Sequence, residues 1–238
     1  YEQVVLMDYA RSVLELARER LGTAGPGGRP RYRYVLADFY NLPFAPGLLD
    51  TVVMVRALHH AADAPRVLAG VGAILAPRGR FVLEFANKRN GKAILRHLLR
   101  RQSWSPWTPE PVEFAALNFD FHPAWIRRHL TGAGLRVERV RSVSYLRVGL
   151  LKRALPTGLL VALDRLLQPT AALGTFSPSV FLRAAPVDNA PAAPGTFFRC
   201  TVCGATDVHE AGDDLACAAC GARFPAAGDL IDFRGGDR

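Results

Sequence analysis

Apolar positions along the chain change period several times, and each change marks an element. Val4-Val5-Leu6-Met7 is a short unbroken apolar run, as expected of a strand covered on both faces. From Ala10 the spacing widens: Ala10, Val13, Leu14, Ala17 and Leu21 share one helical face, and Gly22 is placed for a C-terminal cap. Residues 22–30 are rich in Gly and Pro and predict a loop, followed by strands over Tyr32–Ala37 and Thr51–Val55. Asp63 is placed to N-cap a helix with Pro65 in its first turn and Val67, Leu68, Val71, Ile74 and Leu75 along one side. A turn at Pro77-Arg78-Gly79 leads into a strand over Arg80–Phe85.

Strands alternating with helices in this way predict an α/β domain with a parallel sheet and helices on both faces. Residues 88–121 break the rhythm, basic at first and then rich in Trp, Pro and Phe, and predict a helix and loop inserted above the sheet. A helix over Pro123–Leu130, a loop at Gly132-Ala133-Gly134 and a strand over Arg136–Ser144 follow. Two amphipathic helices flank Pro156-Thr157-Gly158, and a strand over Ser179–Arg183 closes the domain. The Ala/Pro-rich stretch 184–196 predicts a semi-rigid linker, which gives a first domain over 1–183 and a second over 197–238. The chain opens on Tyr1 and runs almost at once into a buried strand, which suggests that the sequence begins inside a fold.

With 238 residues, half of them hydrophobic and 21% charged, the composition is that of a folded globular chain. The longest greasy stretch, Leu150 to Leu167, is interrupted by Lys152, Arg153, Pro156, Gly158, Asp164 and Arg165, so the sequence predicts no transmembrane span. The net charge of +9 fits a phosphate-binding surface, but the basic residues are almost all Arg, with Lys only at 88, 92 and 152. Arg usage of that kind also follows from genome composition, so charge alone does not assign a nucleic-acid partner.

All four cysteines fall between 200 and 220, as two C-x-x-C pairs, Cys200/Cys203 and Cys217/Cys220, each followed by Gly, at Gly204 and Gly221. A two-residue gap lets both thiolates of a turn reach one ion, and the Gly supplies the left-handed backbone such a turn needs. Two such turns predict a closed tetrahedral Cys₄ site of the structural zinc type; an iron site shares the geometry, and two disulfides or a redox pair are the other readings. His209 lies between the pairs and is expected on the surface of a hairpin. Cysteines kept for a metal point to a reducing compartment, the cytoplasm.

The run VVLMD, then VLADFYNLPFAPGLLDTVVMVRALHHAADAPRVLAGVGAILAPRGRFVLEF, resembles the class I S-adenosylmethionine-dependent methyltransferases, in particular those of ubiquinone and menaquinone biosynthesis. The resemblance implies a Rossmann-like sheet whose first strand and Gly-rich loop are missing here, with roughly 30 residues before Tyr1. It implies that Asp8, at a strand end beside Tyr9, accepts from the ribose hydroxyls of the cofactor. It implies likewise that Asp38 accepts from the adenine amino group while the Phe39 N–H meets a ring nitrogen. Asp8 could instead cap the following helix, and Asp38 a local turn. Arg56 and the His59-His60 pair lie beyond the next strand, where the methyl group would sit, so either His could act as a general base or line the pocket. The segment from Cys200 to Arg234 resembles a zinc-ribbon family that includes the activator subunit of tRNA and protein methyltransferases, which implies docking of the ribbon on the methyltransferase domain in cis.

Three functions are compatible with these residues. The first is methyl transfer to a small-molecule or lipid-like acceptor, with the apolar segments 94–118 and 146–168 as a lid or as ordinary packed helices. The second is methyl transfer to RNA, using the basic stretches 88–101 and 127–141. The third is a non-catalytic scaffold carrying the ribbon for partner contacts.

Overall fold

The computed structural model describes residues 1–23, 31–146, 149–172 and 174–236, with backbone alone at 150–152. From residue 24 onward the predicted loop 22–30 lies outside them. The chain forms two compact units, one from Tyr1–Leu48 with Pro191–Arg238, the other from Leu49–Ala190. The first unit opens with β1 (Val4–Asp8), α1 (Arg11–Leu21) and β2 (Tyr32–Leu36). The second unit follows with β3 (Leu49–Met54), a 3-10 turn at Leu58–His60, α2 (Ala64–Ile74), β4 (Leu75–Ala86), α3 (Gly91–Leu98), β5 (Val112–Ala115), β6 (Asn118–Asp120) and α4 (Pro123–Gly132). It continues with β7 (Leu135–Val143), α5 (Gly149–Ala154), α6 (Thr157–Leu167) and β8 (Ser179–Pro186). The chain then returns to the first unit with β9 (Val208–Ala211), β10 (Asp214–Cys217), β11 (Arg223–Phe224), β12 (Ala226–Ala227) and β13 (Leu230–Asp232).

In the first unit the sheet order is β1-β2-β13-β12. β1 and β2 run parallel, with Val4 opposite Tyr32 and Asp8 opposite Leu36. β13, from the far end of the chain, pairs parallel with the other edge of β2, Leu230 opposite Tyr34 and Asp232 opposite Leu36. That pairing makes β2 an interior strand, which is why Tyr34, Val35 and Leu36 are all fully buried while every residue of β1 is only half-buried. Leu14 of α1 packs into the core with Tyr34, Leu36 and Leu230. The α1 face is narrower than its spacing predicts: Val13 and Leu21 are exposed, and only Leu14 is buried. β9, β10 and β11 form a separate three-stranded antiparallel sheet, with His209 exposed on β9.

Aromatic rings tie the returning segment to the N-terminal one. Phe44 lies 6.3 Å from Phe198, Phe198 lies 5.0 Å from Phe233, and Phe233 lies 4.6 Å from Phe224. Backbone bonds run beside them: Ala45 N donates to Phe197 O, Arg199 N to Pro43 O and Phe233 N to Leu36 O, at 2.8–3.0 Å.

The second unit holds the sheet β3-β4-β8-β7, in which β3 and β4 are parallel and β8 is antiparallel to both of its neighbours. The expected turn at Pro77-Arg78-Gly79 is present as a break in register inside β4: Leu49 faces Leu75, but Thr51 faces Arg80. Gly79 is required there, since a Cβ would stand 2.9 Å from the carbonyl oxygens of Ala76 and Leu49. Asp63 caps α2 as predicted, its Oδ1 accepting from Arg66 N at 3.1 Å. β8 runs three residues past the predicted strand end at Arg183, burying Val180, Leu182, Ala184 and Pro186 in strict alternation. Beyond it, the Asn189 amide donates to Gly72 O and Leu75 O at 2.8 and 2.7 Å, closing the C-terminal end of α2.

The stretch 88–121 contains the expected helix, α3, and also the hairpin β5–β6. The buried Lys88 anchors it, its ammonium donating to Thr108 Oγ1, Thr108 O and Glu110 O at 2.6–3.0 Å. All three donors are satisfied, and desolvation lowers the pKa of the amine.

Candidate functional site

Asp8 and Asp38 stand at the C-terminal ends of adjacent parallel strands. Asp8 closes β1 opposite Leu36, and Asp38 follows two residues later on the β2 side. Their backbones meet through Ala37 N donating to Asp8 O at 3.2 Å. Each carboxylate commits one oxygen to a local turn: Asp8 Oδ1 accepts from Ala10 N at 2.8 Å and Asp38 Oδ1 from Tyr40 N at 2.9 Å. Asp8 is not the cap of α1, whose N-cap is Ala10 without a side-chain bond. Among the described residues the second oxygen of each carboxylate has no hydrogen-bond partner, so each retains an acceptor for a polyhydroxylated or amino-bearing ligand. Phe39 packs edge-on against Tyr40, with ring centroids 4.7 Å apart.

The returning chain contributes to the same strand ends. Asp232, opposite Leu36 on β13, is held by Arg234 through both carboxylate oxygens, at 2.9 and 2.6 Å. The Arg234 bonds lower the Asp232 pKa against an opposing desolvation. Arg234 also donates to Tyr9 O at 3.0 Å and lies over the Tyr9 ring at 5.5 Å, while Arg11 reaches Asp232 at 3.2 Å. Sequence reasoning missed Asp232 and Arg234, because the contacts that bring them to this site, with Arg11 and Tyr9, span more than 200 residues.

The four cysteines form the second feature of this unit. Their Sγ atoms all lie within 4.8 Å of one another, with Cys200–Cys220 at 3.7 Å and Cys203–Cys217 at 3.6 Å. Four sulfurs about 2.3 Å from one tetrahedral ion would stand about 3.8 Å apart, whereas a disulfide needs about 2.05 Å. The thiols are free, so the reading of two formed disulfides does not hold. The two turns are copies of one another: Cys200 N donates to Ala205 O and Gly204 N to Cys200 O, as Cys217 N does to Ala222 O and Gly221 N to Cys217 O. Gly204 and Gly221 have φ of 82° and 75°, as the C-x-x-C-G spacing implies. As thiols they crowd one another: the Ala222 amide pulls the Cys220 pKa down, but desolvation and the three neighbouring sulfurs push it up to about 12. Four sulfurs at this spacing could hold one metal ion, which would relieve the crowding of four thiolates.

In the second unit, Arg56 follows β3 with a left-handed backbone, φ 56°. Its N–H donates to Glu84 Oε2 at 2.9 Å, and the buried Glu84 accepts from Ser179 Oγ through its other oxygen. His59 and His60 occupy the 3-10 turn with ring centroids 3.9 Å apart, and His60 Nδ1 lies 3.1 Å from Leu117 O. Burial, then the neighbouring His60, lowers the His59 pKa. Asp120, at the end of β6, is raised to about 6 by desolvation. Glu84 and Asp120 carried no sequence signal, since their character comes from burial.

Residues 1–83 match the methyltransferase domain.

The match covers about a third of the chain.

The methyltransferase segment contains Asp8, Tyr9, Asp38, Phe39, Arg56, His59 and His60, while the cysteine site lies outside it. The chain is 39% identical over 85 residues to the ubiquinone/menaquinone biosynthesis C-methyltransferase of Haemophilus ducreyi, covering 35% of this chain and 32% of that protein. The Teredinibacter turnerae enzyme of the same name is 35% identical over 89 residues, 37% of this chain and 35% of its own length. The chain thus spans about a third of the length of the curated relatives it matches. A protein of Listeria monocytogenes assigned as an S-adenosylmethionine-dependent methyltransferase shares the fold with a TM-score of 0.51, at 14% identity, over 79% of this chain and 81% of that one. The fold is the α/β methyltransferase fold, with a small antiparallel sheet and a four-cysteine cluster added at the C-terminal end. Among the described residues no helix is long and apolar enough to cross a membrane.

Proposed function

We propose that the chain is part of an S-adenosylmethionine-dependent methyltransferase acting on a small-molecule or lipid-like acceptor. The observation that carries this reading is the pair of strand-end carboxylates, Asp8 and Asp38, each with a spare acceptor oxygen, inside the segment matched to the methyltransferase domain. Bound S-adenosylmethionine would supply an electrophilic sulfonium methyl group. In this reading Asp8, with Tyr9 beside it, accepts from the ribose hydroxyls, and Asp38 with the Phe39 N–H orients the adenine. Arg56, fixed by Glu84, shapes the turn that leads to His59 and His60. Neutral His59, its proton affinity lowered by burial, is suited to accept a proton from a nucleophile. Alignment of nucleophile and methyl group supplies much of the rate in such reactions.

The cysteine knot in this reading holds structural zinc and leaves no open position for a substrate. By positioning Phe224 and Phe233 it keeps β13 against β2, so the ribbon docks in cis on the methyltransferase segment. Four reduced thiols suit the cytoplasm.

Titration of S-adenosylhomocysteine by calorimetry tests the reading, using the chain and a form extended upstream of Tyr1. Binding that drops at least tenfold in Asp8→Ala and Asp38→Ala is the expected result. No heat from either form would remove the cofactor and leave the scaffold reading.

A further inference from the structure

We propose that α3 and the turn after it dock this chain on an anionic lipid surface, lying in the headgroup plane. The proposal does not depend on methyl transfer. From Glu84 to Glu110 the sequence holds no other acidic residue, yet it carries Lys88, Arg89, Lys92, Arg96, Arg100 and Arg101. Lys88 is buried and spent on the fold. Lys92, Arg96, Arg100 and Arg101 are exposed, and among the described residues no ion pair engages them.

The apolar side of the helix faces outward as well. Leu95, Leu98 and Leu99 are 57%, 69% and 54% exposed, and their spacing places them on one face. The opposite face is the one that packs, with Ala93 buried and Ile94 and His97 half-buried. At 3.6 residues per turn, Lys92 and Arg96 flank the leucines on their solvent side. Asn90 caps the helix, its Oδ1 accepting from Ala93 N at 2.9 Å, so this face is set by a formed helix. Trp107, farther along the same acid-free stretch, is also half-exposed.

A leucine stripe bordered by cations is the arrangement of helices that lie in a membrane interface, with apolar groups entering the acyl boundary and long basic side chains reaching phosphate. RNA would favour the same charges, but single-stranded RNA is held by aromatic platforms, and here the centre of the patch is aliphatic.

The test is co-sedimentation of the full chain with vesicles of phosphatidylcholine alone and with about 30% phosphatidylglycerol. Binding to the anionic vesicles only is expected, weakening as salt rises. The triple variant Lys92→Glu/Arg96→Glu/Arg100→Glu is expected to lose affinity by roughly a hundredfold, at about fivefold or more per charge. Leu95→Ser/Leu98→Ser/Leu99→Ser is expected to lose it at low salt too, with circular dichroism unchanged in both variants. Equal binding to neutral vesicles, binding unaffected by charge reversal, or no sedimentation with either lipid would overturn the proposal. Charge-sensitive binding of a single-stranded RNA without vesicle binding would overturn it in favour of RNA.

Discussion

The second unit closes its sheet with long ladders, β4 against β8 from Phe81–Ala184 to Ala86–Ser179, between segments of one continuous stretch of chain. The first unit closes its sheet with three residue pairs, between β2 and a strand that arrives some two hundred residues later. Both units therefore rely on a late segment, but of different kinds. In the second it is the single side chain Asn189 on the end of α2. In the first it is a strand that follows a four-cysteine cluster and packs with a row of phenylalanines. Three backbone pairs do not fix a strand against the entropy of ordering it, so the knot and the rings must supply what the ladder lacks. Local strand propensity is enough where the ladder is long; where it is short, the fold depends on a second kind of bond.

The largest expected effect comes from stripping the metal proposed at the cysteine cluster. A chelator, or Cys200→Ser, is expected to unfold the first unit while the second keeps its structure, since structural zinc contributes on the order of 10 kcal/mol to small domains. Hydrogen exchange reads it directly: amides of Tyr34, Val35 and Phe233 should lose protection while those of Leu83 and Leu182 keep it. A smaller effect, confined to the second unit, is expected from Asn189→Ala. Two carbonyls at the end of α2 lose their donor, costing about 1–3 kcal/mol; the thermal transition of the second unit should fall and that of the first stay.

The smallest effect concerns pH. Desolvation raises the Asp120 carboxyl to about 6, so the folded unit favours its protonated form. That contribution is fully present below the ordinary value of 3.8 and is lost as pH rises through about 6. Asp120→Asn should flatten the stability of the second unit across this window by about 1 kcal/mol, solvent screening included, measured by denaturant unfolding at pH 4 and pH 7.

What the sequence shows is what is local. C-x-x-C-G is readable because the ligands, the turn and the left-handed Gly lie within five residues, and the strand ends at Asp8 and Asp38 because each closes its own apolar run. Leu230-Ile231-Asp232 is too short to announce a strand, and nothing near it names β2 as its partner. The hairpin around Leu117 escapes for a related reason. Its turn is built on a non-Gly residue with φ 51°, where the usual signal would be Gly or Asn. Val13 and Leu21 fit the helical face but stay exposed, because Leu14 and Ala17 alone reach the core formed by Tyr34, Leu36 and Leu230. The roles of Asp8 and Asp38 toward a cofactor follow from family resemblance, since both also satisfy ordinary turns.

The pairing of β13 with β2 also sets an order of events during synthesis. β1, α1 and β2 leave the ribosome before the second unit and before β13, so one edge of β2 lacks its partner strand until the C-terminal segment is made. An open parallel edge flanked by Tyr34 and Leu36 is a template for a neighbouring nascent chain. The four cysteines can come together only after Cys220 has emerged, and Leu230–Asp232 follow ten residues later. A metal held by the cysteine cluster would therefore act late, once both C-x-x-C-G turns have been made.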